Sequence, residues 1–445
     1  MKKDDIRYQT YVNILKEELI PAFGCTEPIA LAYAAAKARQ TLGALPDRVL
    51  LQVSGSIIKN VKSVIVPNTG YLKGMPAAAA AGIIAGDPDR ELEVISQVPE
   101  EKIKEIRAFL ENVRIDVEHI DNGHVFDIIV TEYKDGHSAR VRILDTHTDI
   151  ILIEKDGTTL YEKPAAQTPD DTHENTTDAS QTSGRNDACS TDRTLLNMED
   201  IWDFITTVDI ADISDILDRQ IRYNSAIAEE GLRGDYGANI GTVLLRSCGN
   251  DIATRAKAWA AAGSDARMNG CELPVIINSG SGNQGITCSV PLIEYARELK
   301  ADHETLCRAL ALSNLVAIHE KTGIGTLSAY CGAVSAGAGA GAGIAYLCGG
   351  DYQAVIHTVV NALAITSGIV CDGAKASCAA KIAFSVDAGI LGYHMYQNGQ
   401  EFKSGDGIVM KDIESTIRGI GLLGKDGMKE TNNEIIRLMV GEESC

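Results

Sequence analysis

From Thr322 to Gly350 the chain carries no charged residue, and most of that stretch is Gly, Ala and Ser. A run of this kind has two homes: a bilayer, or the interior of a sizeable protein core. Large apolar side chains are few in it, and each Gly weakens a helix by roughly 1 kcal/mol relative to Ala. Lipid therefore suits it poorly, and we expect buried, tightly packed chain. The means to bury it are present. Of the 445 residues, 45% are hydrophobic and 23% charged, the balance of an ordinary globular protein. Aromatics reach only 5%, so close helix packing is expected in place of a large aromatic core.

Around that run the sequence divides into an α+β fold followed by a predominantly helical one. Helical periodicity runs from Tyr8 to Leu19, and a second helix is expected over 28–42, with Thr26 and Glu27 ahead of Pro28, a residue favoured in a first turn. Short β-branched runs at Val49–Val53 and Val61–Val66 read as strands. So do the alternating Phe126, Ile128, Val130 and Val141, Ile143, with hairpin turns at Asp135-Gly136 and Asp156-Gly157. The polar segment that follows has no large apolar residue and cannot offset its ordering entropy. The expected division is a mixed α/β sheet domain over 1–163, a flexible linker or insertion over 164–193, and a helical domain over 194–445. Helices are expected at 209–230, 251–262, 288–300, 303–317, 334–348, 352–367, 375–387 and 411–422.

The formal net charge of -20 repels phosphate backbones, so nucleic acid is not an expected partner. The opening Met1-Lys2-Lys3-Asp4-Asp5 has no apolar run behind it, so no secretory signal is expected and a cytoplasmic location is. Eleven cysteines in such a chain argue for thiols or metal ligands over a disulfide framework.

Several constellations could carry chemistry. In Cys371-Asp372-Gly373-Ala374-Lys375-Ala376-Ser377-Cys378 the two cysteines would lie about 10.5 Å apart along an ideal helix. A turn at Asp372-Gly373 would fold Cys371 back beside Cys378. Both could also be buried small residues, the common fate of free Cys. Cys331 is followed by Gly332, which permits close approach of backbone or cofactor. No zinc signature is present: there is no CxxC, and His319-Glu320 lacks the second His of HExxH. Cys25, in Gly24-Cys25-Thr26-Glu27-Pro28, precedes a helix whose N-terminus would favour a thiolate. It could equally be a buried cysteine at a helix start. Two loops have the composition of anion nests: Pro67-Asn68-Thr69-Gly70 with Lys73, and Asn278-Ser279-Gly280-Ser281-Gly282-Asn283. Ordinary turns use the same residues. The second loop contains a lone GxGxxG at Gly280, Gly282 and Gly285, a weak nucleotide signal with no βαβ units around it.

Three segments together make the chain resemble the L-cysteine desulfidase family, related to the iron–sulfur L-serine dehydratases through their α-subunit. They are Pro21-Ala22-Phe23-Gly24-Cys25-Thr26-Glu27-Pro28, Ser328–Gly332, and Val370 through Cys378. The resemblance covers nearly the whole chain except the polar insertion. It implies a [4Fe–4S] cluster held by Cys331, Cys371 and Cys378, with Cys25 as the base. It also implies L-cysteine as substrate, and sulfide, ammonia and pyruvate as products without pyridoxal phosphate. The two loops then become candidates to hold the substrate carboxylate through Asn68, Thr69, Lys73, Ser279 and Asn283. Serine-dehydrating relatives generally carry a Ser-Ser-His-Thr type segment where this chain has Gly-Cys-Thr-Glu, which favours the desulfidase branch without excluding serine.

Two other classes compete. A nicotinamide oxidoreductase would rest on the GxGxxG, and a colourless protein that binds NAD would favour it. A non-catalytic iron–sulfur protein would be brown and release no sulfide. A homo-oligomer is compatible with the sequence. The last residue, Cys445, is a possible occupant of an open iron position, although a frayed end is the simpler expectation.

Overall fold

The uncharged run forms a helix at the centre of the molecule. The computed structural model describes residues 1–164, 191–325 and 327–440. Its elements run α1 (Ile6–Glu18), β1 (Pro21–Phe23), α2 (Thr26–Leu42), β2 (Arg48–Ser54), α3 (Gly55–Val61), α4 (Gly74–Ala85), α5 (Glu100–Asn112), β3 (Arg114–Ile120), β4 (Asp127–Lys134), β5 (His137–Leu144), β6 (Ile150–Lys155) and β7 (Thr158–Glu162). After the polar segment come α6 (Met198–Thr207), α7 (Ser214–Arg233), α8 (Ile240–Cys248), α9 (Ile252–Met268), β8 (Pro274–Ile276), α10 (Gly282–Leu299), α11 (His303–Ile324), α12 (Gly332–Leu347), α13 (Tyr352–Thr366), α14 (Cys378–Gln397), α15 (Ile413–Leu422) and α16 (Lys429–Val440). The chain thus mixes strands and helices in its N-terminal part and is almost entirely helical in its C-terminal part. Cys189, Cys445 and nearly all of the polar segment lie outside the described residues.

Helix α12 is buried along nearly its whole length, which explains its composition. A Cβ on Gly337 would stand 2.5 Å from the Ser385 carbonyl oxygen of α14, and one on Gly341 would stand 2.8 Å from Gly389 Cα. On another side, a Cβ on Gly339 would stand 2.5 Å from the Ser313 carbonyl oxygen of α11. Glycine spacing therefore lets α12 touch α11 and α14 backbone to backbone. A helix enclosed by others needs no polar face. Among the described residues, no helix is long and apolar enough to cross a membrane.

The sheet has the order β3-β2-β4-β5-β6-β7. Strands β2 and β3 are parallel and the remaining pairs antiparallel. Both expected hairpins are present. Asp135 and Gly136 have φ of 50° and 84°, and Asp156 and Gly157 have 52° and 76°, the left-handed pairs that a tight two-residue turn requires. Ala-rich α2 and α4 pack together above this sheet. A Cβ on Gly82 would lie 2.1 Å from the Ala32 carbonyl oxygen, so glycine sets that spacing too.

Three local expectations are corrected. Val61–Val66 is not a strand: Val61 ends the buried helix α3, and Val64 and Val66 fill the core from irregular chain. Apolar β-branched residues serve either state once buried, and the run is too short for periodicity to decide. Helix α10 begins at Gly282, earlier than expected, and passes through Pro291 without ending. Helix α14 begins at Cys378, so the turn at Asp372-Gly373 extends further than expected.

Two links join the sheet-bearing and helical parts. Strand β1 pairs antiparallel with β8, Pro21 opposite Ile276, and α1 adds Tyr11, Ile14 and Leu15 to the core built by the later helices. At the other end, α16 returns to α3, where Lys59 Nζ donates to Asn432 Oδ1 at 2.6 Å. Between these links lies a cleft.

Candidate active site

Cys25 is placed by a strained turn. Gly24 has φ +58°, and a Cβ there would stand 2.7 Å from Pro67 Cγ, so glycine alone fits. The chain then enters α2 with Cys25 as N-cap residue and no side-chain capping bond. The thiol is buried, with Sγ 3.8 Å from Met268 Sδ. The Thr26 hydroxyl donates to the Gly280 carbonyl at 3.1 Å, which docks the glycine-rich loop beside Cys25.

Cys331 and Cys371 meet through backbone pairing. Cys331 N–H donates to the Ile369 carbonyl at 3.2 Å, and Cys371 N–H donates to the Ala329 carbonyl at 2.6 Å. These bonds flank an isolated antiparallel bridge between Tyr330 and Val370. Beyond it the chain turns at Gly373, φ +95°, where a Cβ would stand 2.1 Å from the Lys59 carbonyl oxygen. Cys378 then opens α14, its Sγ 3.6 Å from the Gly373 carbonyl oxygen. Lysines bind this loop: Lys59 Nζ donates to the Cys371 carbonyl at 3.3 Å, Lys381 Nζ to the Val370 carbonyl at 2.8 Å, and Lys375 pairs with Asp372 at 2.6 Å.

Cys25, Cys331, Cys371 and Cys378 all line one cleft with a cavity volume of about 110 Å³. Four helices start at its wall: α2 after Cys25, α10 after Ser281, α12 after Cys331 and α14 at Cys378, none with a side-chain capping bond. Their unmet N–H groups give each start a partial positive charge. With the lysines, this field favours anionic sulfur. Three thiols are a donor set suited to an iron–sulfur centre; Glu27 also lines the cleft, where its carboxylate accepts from Asn60 Nδ2 at 2.9 Å.

Burial acts against thiolate formation. It pushes the Cys25 thiol up to about 12, with the Arg267 cation opposing it. The helix start is expected to lower this value, and burial outweighs it. Burial likewise pushes Cys331 up to about 12, with Cys371 adding to the rise. Such thiols release their protons when metal binds.

Of the residues expected to hold substrate, Asn283 lines the cleft and Ser279 does not. The Ser279 hydroxyl donates to Asn278 Oδ1 at 2.9 Å within its own turn. Asn68 donates to the Ile95 carbonyl at 2.8 Å, Thr69 donates to the Val66 carbonyl at 2.7 Å, and Lys73 is exposed ahead of α4. None of these three lines the cleft. Ser281, Gln284, Lys59, Lys321 and Arg267 do, and no local pattern marks the last three. Two glycines of the GxGxxG are packing residues, with a Cβ on Gly282 2.2 Å from Arg267 Nε and one on Gly285 1.9 Å from the Ile276 carbonyl oxygen, and Gly280, at φ +75°, makes the turn. Among the described residues, strand β8 pairs only with β1, so the dinucleotide-binding arrangement is not formed there.

Among the described residues, the group of metal-capable side chains whose ligand atoms lie close together is elsewhere. The ligand atoms of Asp218, His303 and Cys307 all fall within 4.8 Å of one another and could coordinate a metal. His303 Nε2 is 2.6 Å from Asp218 Oδ1 and 3.6 Å from Cys307 Sγ. His303 and Cys307 open α11, whose far end carries Lys321 at the cleft, so about 20 Å of helix separates Cys307 from the first site.

Sequence comparison agrees with a lyase-type fold. Residues 89–437 match the family described as serine dehydratase alpha chain, a span that contains all three of the clustered cysteines and excludes Cys25. The chain is 57% identical over 442 residues to a UPF0597 protein of Desulfitobacterium hafniense (strain Y51), covering 99% of both chains. It is 49% identical to a UPF0597 protein of Lachnoclostridium phytofermentans, over 97% of this chain and 100% of that one. With a UPF0597 protein of Treponema denticola it shares 45% identity, over 99% and 100%. The chain belongs to the serine dehydratase alpha chain family.

Proposed function

We propose that the chain is a pyridoxal-phosphate-independent iron–sulfur lyase that converts L-cysteine and water to hydrogen sulfide, ammonia and pyruvate. The observation that carries this reading is the convergence of Cys331, Cys371, Cys378 and Cys25 on one cleft. Cys331, Cys371 and Cys378 would hold a [4Fe–4S] cluster. With three protein ligands, such a cluster offers one open iron position as a Lewis acid for the leaving sulfur.

Cys25, once its thiol has given up its own proton to solvent, takes the proton from Cα. A thiolate that is costly to form in this buried place is correspondingly basic, which suits a weak carbon acid. The Cβ–S bond then breaks, the electron pair leaves with sulfur, and the Cα–H pair forms the double bond of aminoacrylate. This product tautomerises to an imine, which water hydrolyses to pyruvate and ammonia. Asn283 faces the substrate from the start of α10, while Ser279, Asn68 and Thr69 shape the loops behind it. The lysines of the 371–381 segment hold the ligand loop and offset negative charge.

The family match supports a second reading, elimination of water from L-serine at the same centre. One experiment tests both. Protein purified without oxygen should be brown, with broad visible absorption, and should release sulfide from L-cysteine. Pyruvate formed faster from L-serine would move the assignment to the dehydratase. A colourless, iron-free protein, or a brown one inert toward both amino acids, would defeat the lyase reading.

A further inference from the structure

The basic side chains of the cleft are not equivalent. Lys59 is committed to Asn432 and the Cys371 carbonyl. Arg267, in the last turn of α9, is 4% exposed. Its Nη1 donates to Asn283 Oδ1 at 3.2 Å, while its Nε is buried with no hydrogen-bond partner. A buried guanidinium N–H without an acceptor is costly, so this arrangement is incomplete as it stands.

The surroundings make room for that side chain. A Cβ on Gly282 would stand 2.2 Å from Arg267 Nε, so only a bare backbone fits beside it. At the same point α10 begins, with Ser281 as N-cap and no side-chain capping bond. A fixed cation and an open helix start therefore face the cleft together. Both lie on the Cys25 side, since Met268, the next residue, touches Cys25 Sγ.

We propose that Arg267 receives the α-carboxylate of the substrate, with Asn283 and the first N–H groups of α10 completing the receptor. Guanidinium binds carboxylate through two parallel N–H bonds, and the helix start adds further donors. A carboxylate held there brings Cα toward Cys25 and directs the Cβ substituent across the cleft toward Cys331, Cys371 and Cys378. The site thus requires a free α-carboxylate. The reaction named above supplies the identity of the substrate, but the receptor can be measured without turnover.

The test is calorimetry on the holoprotein, purified without oxygen. L-Alanine keeps the α-carboxylate and has no leaving group, whereas L-alaninamide is uncharged at that end. Wild type should bind L-alanine and not L-alaninamide. Arg267→Gln should weaken L-alanine binding on the order of 100-fold with iron content unchanged. Arg267→Lys should lose less, because charge remains while the fork is lost. Should the Gln variant not fold, Gly282→Ala places a methyl group in the space of Nε and should weaken binding in the same way. The proposal is overturned if wild type binds both ligands alike or neither, or if an iron-replete Gln variant binds L-alanine normally. Wild type that binds L-alanine through Arg267 yet forms neither sulfide nor pyruvate would support the receptor and refute the lyase reading.

Discussion

Two sets of helix starts contrast in this protein, although α4, α5 and α7 also begin without a side-chain capping bond away from the cleft. Away from the cleft, α9, α11, α13 and α15 start at Asp251, Asp302, Asp351 and Asp412, and each carboxylate accepts a backbone N–H of the first turn. At the cleft, α2, α10, α12 and α14 start at Cys25, Ser281, Cys331 and Ser377 with no such bond. An aspartate cap is worth about 1 kcal/mol to a helix, so the cleft helices forgo a common source of stability. An aspartate there would also place a fixed negative charge where the proposed sulfur ligands and substrate carboxylate would bind. On the proposed function, the open starts at the cleft would leave their positive ends for ligands.

The largest expected effect falls on the thiols. Cys331→Ala, Cys371→Ala or Cys378→Ala should each abolish the visible absorption, iron content and turnover, measured on protein purified without oxygen. Full iron in all three variants would make the cleft starts no different from ordinary buried ones. Cys25→Ser separates base from ligand. It should keep its iron and lose turnover by about 10²- to 10⁴-fold. Near-normal activity would remove Cys25 from the chemistry.

The same contrast shows how much the sequence reveals. The surface starts are legible locally, since an Asp three residues ahead of the N–H that donates to it is a signal within one turn. The beginnings expected at 303 and 352 are those of α11 and α13, each of which has such an Asp just ahead of it. The cleft starts carry no such signal. Cys371 and Cys378 are joined by a turn that Asp372-Gly373 announces, whereas Cys331 reaches Cys371 through a single bridge between Tyr330 and Val370, too short to have a periodicity. Family resemblance supplied that pairing; the residue pattern did not. Arg267 was hidden for another reason. A basic residue in the last turn of an Ala-rich helix reads as a favourable charge at a C-terminus. Its contact with the start of α10 is set by helix packing, which no window of sequence shows.

Helix α8 is an intermediate case and gives a pH test. Its start receives a carboxylate from another helix: Asp265 Oδ2 accepts from Gly241 N–H at 3.2 Å. Burial pushes this carboxyl up to about 7, with the N–H bonds opposing. The folded protein therefore keeps the Asp265 proton at pH values where the unfolded chain has lost it. The stability this supplies is complete below about pH 4 and is lost as pH rises toward 7. Asp265→Asn should remove that dependence. Between pH 5 and pH 8, wild type should lose on the order of 2 kcal/mol relative to the variant, measured by urea denaturation. Parallel stability curves would mean that burial does not perturb Asp265.

Ser281→Asp converts a cleft start into a surface one. The new carboxylate should cap α10 and raise stability by up to about 1 kcal/mol. It should also meet the Arg267 guanidinium and compete with substrate, raising KM for L-cysteine on the order of 10-fold while iron content holds. A gain in stability with unchanged KM would show that an open start at α10 has no part in binding.

The smallest effect is the reverse control. Asp351 caps α13 by accepting the Ala354 N–H at 3.0 Å, and α13 packs against α12 and α14, which carry two of the proposed ligand cysteines, Cys331 and Cys378, at their own starts. Asp351→Ala should cost about 1 kcal/mol in denaturant unfolding, with iron content and KM unchanged. The ligand ends of α12 and α14 are fixed by the Tyr330–Val370 bridge and the lysine-bound loop, so loosening the start of α13 leaves them in place. If iron were lost along with that small decrement in stability, the two kinds of helix start would be coupled through packing. The cleft would then owe its geometry to the surface caps as much as to its own loop.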